Sequence, residues 1–87
     1  MTLSDLSPLL EKEMKFGAEK YGPYHSAHEH YAVLQEEVDE WWDAVKDNAD
    51  RLNHYELLQV AAVAIRYIIE NGSTVLISID QRTRHGL

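Results

Sequence analysis

The segment from about His54 to Glu70 is apolar on almost every side when it is wound as a helix. It contains the uninterrupted apolar run Val60–Ile65 and is followed by Asn71-Gly72, a pair that commonly ends a helix. Such a helix needs to be covered on most of its surface. The chain has only 87 residues and no cysteine, so it has neither a second core nor a disulfide. We therefore expect an oligomer, a homodimer or homotetramer, whose subunits cover this helix together.

A second helix is predicted from about Ala27 to about Lys46, a segment without glycine or proline. Ser26 and Glu29 stand at its N-cap and N3 positions, which predicts a capping box. Its apolar residues recur at spacings of four, three and four, the pattern of one buried stripe. The residues of this stripe are Leu34, Val38, Trp41 and Val45.

A first helix is predicted to begin at Ser7-Pro8, with serine as the N-cap and proline at the first helical position. It runs to about Glu19, and Gly22-Pro23 prevents its continuation. Helices of this kind pair through their apolar faces. Three such helices in one short chain predict a helical bundle.

The C-terminal segment, Ser73–Leu87, is rich in β-branched residues but has no second strand to pair with. We expect it to form a short helix or an extended arm packed on a partner subunit. The predicted fold class is therefore all-α. It is a bundle of three main helices plus a C-terminal arm or short helix, completed by oligomerisation. A single domain spans residues 1–87, with its core at about 26–70.

The charge and hydropathy of the chain limit its partners. The formal net charge is −7, which argues against nucleic acid as a direct partner because phosphates repel this surface. An acidic protein can still act on phosphates when a metal cation lies between them. The segment Met1–Leu10 lacks the pattern of a signal peptide, and no apolar run approaches the roughly 20 residues that span a bilayer. We expect no membrane association and a cytoplasmic location.

Acidic residues are concentrated in the second helix. Seven of the fifteen acids lie between Glu29 and Asp47. A solvated helix face is the ordinary explanation for such a concentration. Helical spacing nevertheless places Glu37 and Glu40 at the margin of the apolar stripe. The remaining acids of this helix, which we expect to be merely solvated, include Glu36, Asp39 and Asp43.

The third helix carries polar residues on one side of its apolar surface, namely Glu56, Gln59 and Arg66. A buried unpaired carboxylate is costly, so Glu56 needs a partner. One solution is an ion pair between Arg66 and Glu56 or a glutamate of the second helix. The other is a bound cation that meets Glu37, Glu40, Glu56 and Gln59 together. Oxygen ligands from two facing helices suit Mg²⁺ or Mn²⁺.

The segment Glu36-Glu37-Val38-Asp39-Glu40-Trp41, followed by Glu56-Leu57-Leu58-Gln59-Val60-Ala61, resembles a known family signature. It is similar to the paired ExxE…ExxD motif of the MazG-like nucleotide pyrophosphohydrolases, members of the all-α NTP pyrophosphohydrolase superfamily. The resemblance covers roughly Ser26 to Glu70. It implies an obligate helical oligomer that uses Mg²⁺ to cleave nucleoside triphosphates to NMP and pyrophosphate. By position it implies four metal ligands, namely Glu37, Glu40, Glu56 and Gln59.

Gln59 departs from this motif, which has aspartate at that position, so the site has one negative charge fewer. Glu37 or Glu40 is expected to orient or deprotonate the attacking water. Arg66 and Lys20 are candidates to bind phosphate, although lysines on helices are usually just solvated, and Trp42 is a candidate to stack on a base. The alternative is a non-catalytic helical interaction module that keeps the fold with a degenerate metal site.

Overall fold

The computed structural model describes residues 1–72 and 78–79 of the chain. Its helices are α1 (Leu3–Tyr21), α2 (Ala27–Lys46) and α3 (Asp50–Asn71). The described residues contain no strand, which confirms the prediction of an all-α fold with three main helices. The predicted C-terminal arm or short helix lies, apart from residues 78–79, outside the described residues.

Helix α2 begins and ends where the sequence predicts. The Ser26 hydroxyl accepts a hydrogen bond from the backbone N–H of Glu29 at 3.1 Å, so serine is the N-cap. The other half of the predicted capping box is wrong, because the Glu29 side chain does not return to the Ser26 backbone. Its carboxylate instead accepts from Nδ1 of His25 at 2.9 Å. The His25 imidazole, directly before the N-cap, competes with the backbone N–H of Ser26 as a donor to the Glu29 carboxylate.

Helix α1 begins earlier than predicted. Thr2, not Ser7, is the N-cap, and Thr2 and Asp5 form a complete capping box with hydrogen bonds of 3.2 and 2.9 Å. Pro8 therefore lies inside the helix, where it lacks an N–H to donate. The Ser7 hydroxyl donates to the carbonyl of Leu3 at 2.9 Å. Two reciprocal cap bonds outweigh the weaker start signal at Ser7-Pro8.

Helix α3 also begins earlier than predicted, at Asp50 rather than at about His54. No side chain caps its N-terminus, since Ala49 is the N-cap residue. The extra first turn includes Asn53, whose Oδ1 accepts a hydrogen bond from Nε1 of Trp41 at 2.6 Å. The contact with α2 thus favours helix in a segment whose polar composition predicts a loop. The helix ends at Asn71, before Gly72, as predicted.

Helices α2 and α3 form an antiparallel pair. Trp41 contacts Asn53 near their short connection, and Nε2 of His30 donates to the Val63 carbonyl at 3.0 Å further along. The His30 ring also stacks on Tyr67, with ring centroids 4.3 Å apart. Helix α1 packs against α3. The bundle is therefore centred on α3, which contacts both other helices.

One chain alone has a small core. Among the described residues, the buried apolar side chains are only Leu10, Ala44 and Ala62, and no large side chain is fully buried. Large apolar side chains of α3, such as Ile68 and Ile69, are exposed in the single chain. Within the same residues, no helix combines the length and the apolar character that a bilayer crossing requires.

We expect Asn53→Ala to destabilise the fold by about 1–2 kcal/mol, because it leaves the half-buried indole N–H of Trp41 without an acceptor. Urea denaturation followed by circular dichroism measures this difference. Arg51→Ala, at an exposed position two residues earlier, is the control and should change the free energy of unfolding by less than about 0.5 kcal/mol. Equal effects of the two substitutions would contradict a stabilising role for the Trp41–Asn53 hydrogen bond.

Candidate metal centre

Three glutamates meet at the α2–α3 contact. Glu37 and Glu40 lie one turn apart on α2, and Glu56 lies on the first half of α3. One carboxylate oxygen of each lies within 4.8 Å of the others. The Trp41–Asn53 hydrogen bond fixes the register of the two helices next to this cluster. The structure thus brings together three of the four residues that the sequence predicts as metal ligands.

Burial and mutual repulsion make the charged form of this cluster unfavourable. Burial first, and then the negative charges of Glu40 and Glu56, raise the pKa of Glu37 from its ordinary value of 4.5 to about 7. The pKa of Glu56 is also raised, by burial and by the charge of Glu40. The Glu40 carboxylate lies close enough to form a hydrogen bond with each of the other two, which raises both pKa values further.

Arg66 does not neutralise the cluster, so the predicted ion pair with Glu56 or a glutamate of α2 is wrong. Its Nε donates to Glu70 at 2.8 Å, and its Nη2 donates to the carbonyl of Gly22. Arg66 and Glu56 are ten residues apart on one helix, about 15 Å along its axis, whereas Glu70 is one turn away. Within the described part of the chain, no lysine or arginine forms an ion pair with the three glutamates.

Gln59 lies one turn after Glu56 on α3, and the cluster of three carboxylates does not include it. Its Nε2 is buried and forms no hydrogen bond within the described residues. A buried amide end without a partner is costly. A side-chain amide can offer its carbonyl oxygen to a divalent cation, as its position after Glu56 suggests.

Two cavities adjoin the cluster, and Glu37 lines both. The smaller, here called the inner crevice, has a volume of about 70 Å³ and lies where Glu13 and Gly17 of α1 approach α2 and α3. The larger, the outer cavity, has a volume of about 330 Å³ and lies beneath Tyr21 and Tyr24. Arg66 is in the wall of both cavities.

Sequence reasoning missed Glu13 and Tyr55. The charges of Glu13, Glu56 and Glu37 contribute, after burial, to raising the pKa of the Tyr55 phenol. Tyr55 therefore lies in the field of the cluster, and Glu13 of α1 lines the inner crevice together with Glu37. The signal for Glu13 was its spacing, three residues after buried Leu10 and four before Gly17, on the face of α1 that meets α3.

The other predicted substrate-binding residues lie apart from the cluster. Lys20 is exposed, and its Nζ lies 5.1 Å from the ring centre of Tyr21, at the outer edge of the outer cavity. Trp42 is exposed on α2, and Lys46 lies over its ring at 5.6 Å. Helical geometry turns Trp42 about 200° away from Glu40. Trp42 thus faces away from the metal centre of its own chain.

The donor set fits a hard divalent cation. Three carboxylates within 4.8 Å of one another match the ligands of Mg²⁺ and Mn²⁺, and a cation would offset the repulsion that raises the pKa of Glu37. A search of protein-family models, curated proteins and solved structures gives no match to this chain.

We expect Glu37→Gln to stabilise the metal-free protein at pH 8 and to have little effect at pH 5. The folded-state pKa of Glu37 lies above its ordinary value. Its contribution to stability is therefore fully present below about pH 4.5 and is lost as the pH rises through about 7. Glutamine resembles the protonated form at every pH. Thermal melts in a chelator from pH 5 to 8 measure the difference.

Asp39→Asn is the matched control, because Asp39 is an exposed acid on the opposite side of α2. It should shift the melting temperature equally at both pH values. Adding Mg²⁺ at pH 8 should raise the melting temperature of the wild type more than that of Glu37→Gln. A Glu37→Gln protein with a lower melting temperature than the wild type at pH 8 would contradict a destabilising effect of the Glu37 charge at this site.

Proposed function

We propose that this protein is a metal-dependent nucleoside triphosphate pyrophosphohydrolase that cleaves NTPs or dNTPs to NMP and pyrophosphate. The observation that carries the proposal is a cluster of three carboxylates that borders two cavities. Among the described residues, no lysine or arginine forms an ion pair with these carboxylates. The sequence resemblance to MazG-like pyrophosphohydrolases supports the same activity. An acidic protein needs such a cation to approach a triphosphate at all.

Glu37, Glu40, Glu56 and Gln59 would hold Mg²⁺ or Mn²⁺. When bound, the cation supplies charge neutralisation at the phosphate oxygens and lowers the pKa of a coordinated water. Glu37 or Glu40 would orient the attacking water or accept its proton.

Arg66 supplies positive charge in the two cavities that Glu37 also lines. Its guanidinium is buried, is held by Gly22 and Glu70, and lies 4.6 Å from the ring centre of Tyr24. These contacts fix the guanidinium in the wall that the two cavities share. A charge held in position can stabilise the pyrophosphate that leaves, without reorganisation during the reaction.

Gln59 favours one alternative, a non-catalytic helical interaction module. A neutral amide in place of a carboxylate removes one charge from the site and weakens its attraction for a divalent cation. In that case the fold is retained and the cluster has no catalytic role. The retained Glu37, Glu40 and Glu56, held within 4.8 Å of one another, favour the enzyme instead.

The test is incubation with a panel of NTPs and dNTPs plus Mg²⁺ or Mn²⁺, with the products separated by ion-exchange chromatography. We expect NMP and pyrophosphate. Release of NDP and phosphate would show a different phosphoanhydride chemistry. Absence of turnover with every substrate and metal would support the interaction module.

Variants of the cluster connect the activity to the site. Glu37→Gln and Glu40→Gln should each lower kcat/KM by at least about 100-fold, because each removes both a ligand charge and a candidate base. Asp39→Asn, on the far side of the same helix, should retain activity within about twofold. Equal losses in all three variants would contradict the assignment of Glu37 and Glu40.

We further propose that the active form is a homodimer or homotetramer assembled around α3. Exposed apolar residues on α3 support this, and so does an apolar groove of about 520 Å³ between α1 and α3. The groove is lined by Leu6 and Leu9 from α1 and by Leu57, Leu58 and Ala61 from α3. Single exposed apolar side chains are normal on a monomer, whereas a contiguous apolar surface of this kind is typical of a protein–protein interface.

Light scattering coupled to size-exclusion chromatography should give two or four times the mass of one chain at micromolar concentration. Leu57→Glu should shift the protein toward monomer, because it places a charge on the apolar surface that we propose as the contact. Asp39→Glu, on the exposed face of α2, should leave the mass unchanged. A wild-type protein that is a stable monomer would refute this proposal.

A further inference from the structure

The outer cavity is distinct in character from the metal centre that it adjoins. Its volume of about 330 Å³ lies at the lower end of the range for small-molecule pockets, so it suits a nucleoside better than a whole nucleotide. Aromatic side chains, Tyr21 and Tyr24, form one part of its wall, and carboxylates, Glu29 and Glu36, form another. Glu37 connects it to the cluster.

The charge of this cavity excludes phosphate from most of it. Two carboxylates in its wall lie outside the cluster, and its cation, Arg66, lies in the wall that the outer cavity shares with the inner crevice, on the side proposed for the pyrophosphate. A triphosphate placed here would face like charges. An uncharged group that is rich in N–H donors is complementary to the same wall. The phosphates therefore belong at the cluster, and the base and sugar belong in the outer cavity.

Tyr21 offers a surface for stacking. Its side chain lines the cavity and is 71% exposed, with the exposed Lys20 Nζ 5.1 Å from its ring centre, whereas Tyr24 has the buried guanidinium of Arg66 over its ring. An exposed aromatic ring beside a cavity is a common platform for a nucleobase. Tyr21 would therefore contribute affinity without regard to which base is bound.

Glu36 provides the selective contact. The Glu29 carboxylate accepts a hydrogen bond from His25, while that of Glu36 is exposed on the cavity wall. An ionised carboxylate only accepts hydrogen bonds. It pairs with an exocyclic amino group, such as N4 of cytosine, and repels the carbonyl oxygen at the same position in uracil.

We propose that the outer cavity binds the nucleoside part of the substrate and that Glu36 selects bases with an amino group on their Watson–Crick edge. The identity of the ligand as a nucleotide rests on the proposed function above. Selection by Glu36 makes cytosine preferred over uracil, two bases of the same size that differ at this position.

The experiment titrates the full-length protein with cytidine and uridine, without metal, and follows binding by NMR chemical shifts. We expect cytidine to bind about tenfold more tightly than uridine. Glu36→Gln should reduce this preference to within about twofold, because an amide both donates and accepts. Tyr21→Ala should weaken both nucleosides about tenfold and leave their ratio unchanged. Asp39→Asn is the control and should match the wild type.

Equal binding of the two nucleosides, no binding of either, or an unchanged preference in Glu36→Gln would overturn this inference. These measurements need no catalysis, so they separate the two proposals. A protein that discriminates between nucleosides but does not hydrolyse NTPs contradicts the proposed function and leaves the nucleoside site supported. A protein that hydrolyses NTPs without discriminating between nucleosides supports the proposed function and contradicts the nucleoside site.

Discussion

The antiparallel packing of α2 on α3 determines where every candidate ligand lies. Two hydrogen bonds connect these helices, from Trp41 to Asn53 and from His30 to the Val63 carbonyl. These two contacts set the register in which Glu37 and Glu40 lie beside Glu56. The cluster is therefore a consequence of helix packing, and the same contacts that stabilise the fold hold three like charges together.

The repulsion between the three glutamates lowers the free energy of unfolding of this small domain. A chain of this size has little free energy of folding to spare, and few of its described side chains are buried. Repulsion at the cluster reduces that reserve, and the unpartnered Nε2 of Gln59 reduces it further. Apolar residues at the same positions would be more stable, and the cation that we propose would offset part of this cost.

The bounds of α2, the end of α3 and the proximity of Glu37, Glu40 and Glu56 were predictable from the sequence. Helical spacing and the Ser26 cap both depend on residues that are only a few positions apart. Contacts between distant segments were not predictable in the same way. Arg66 had several acids available, and only the structure selects Glu70 and the Gly22 carbonyl. Helical spacing puts Glu13 on the same face of α1 as Leu10, but only the packing of α1 on α3 brings it to the inner crevice. The start of α1 was wrong because a stronger cap stood five residues earlier.

Helix α1 packs on α3, whereas α2 and α3 are joined by a short connection and by contacts along both helices. Contacts between segments that are near in sequence form with little loss of chain entropy, so we expect the α2–α3 hairpin to form without α1. We expect α1 to have the lowest free energy of local opening. Undocking of α1 would widen the inner crevice from the side of Glu13, while the three clustered glutamates, which lie on α2 and α3, would stay in register.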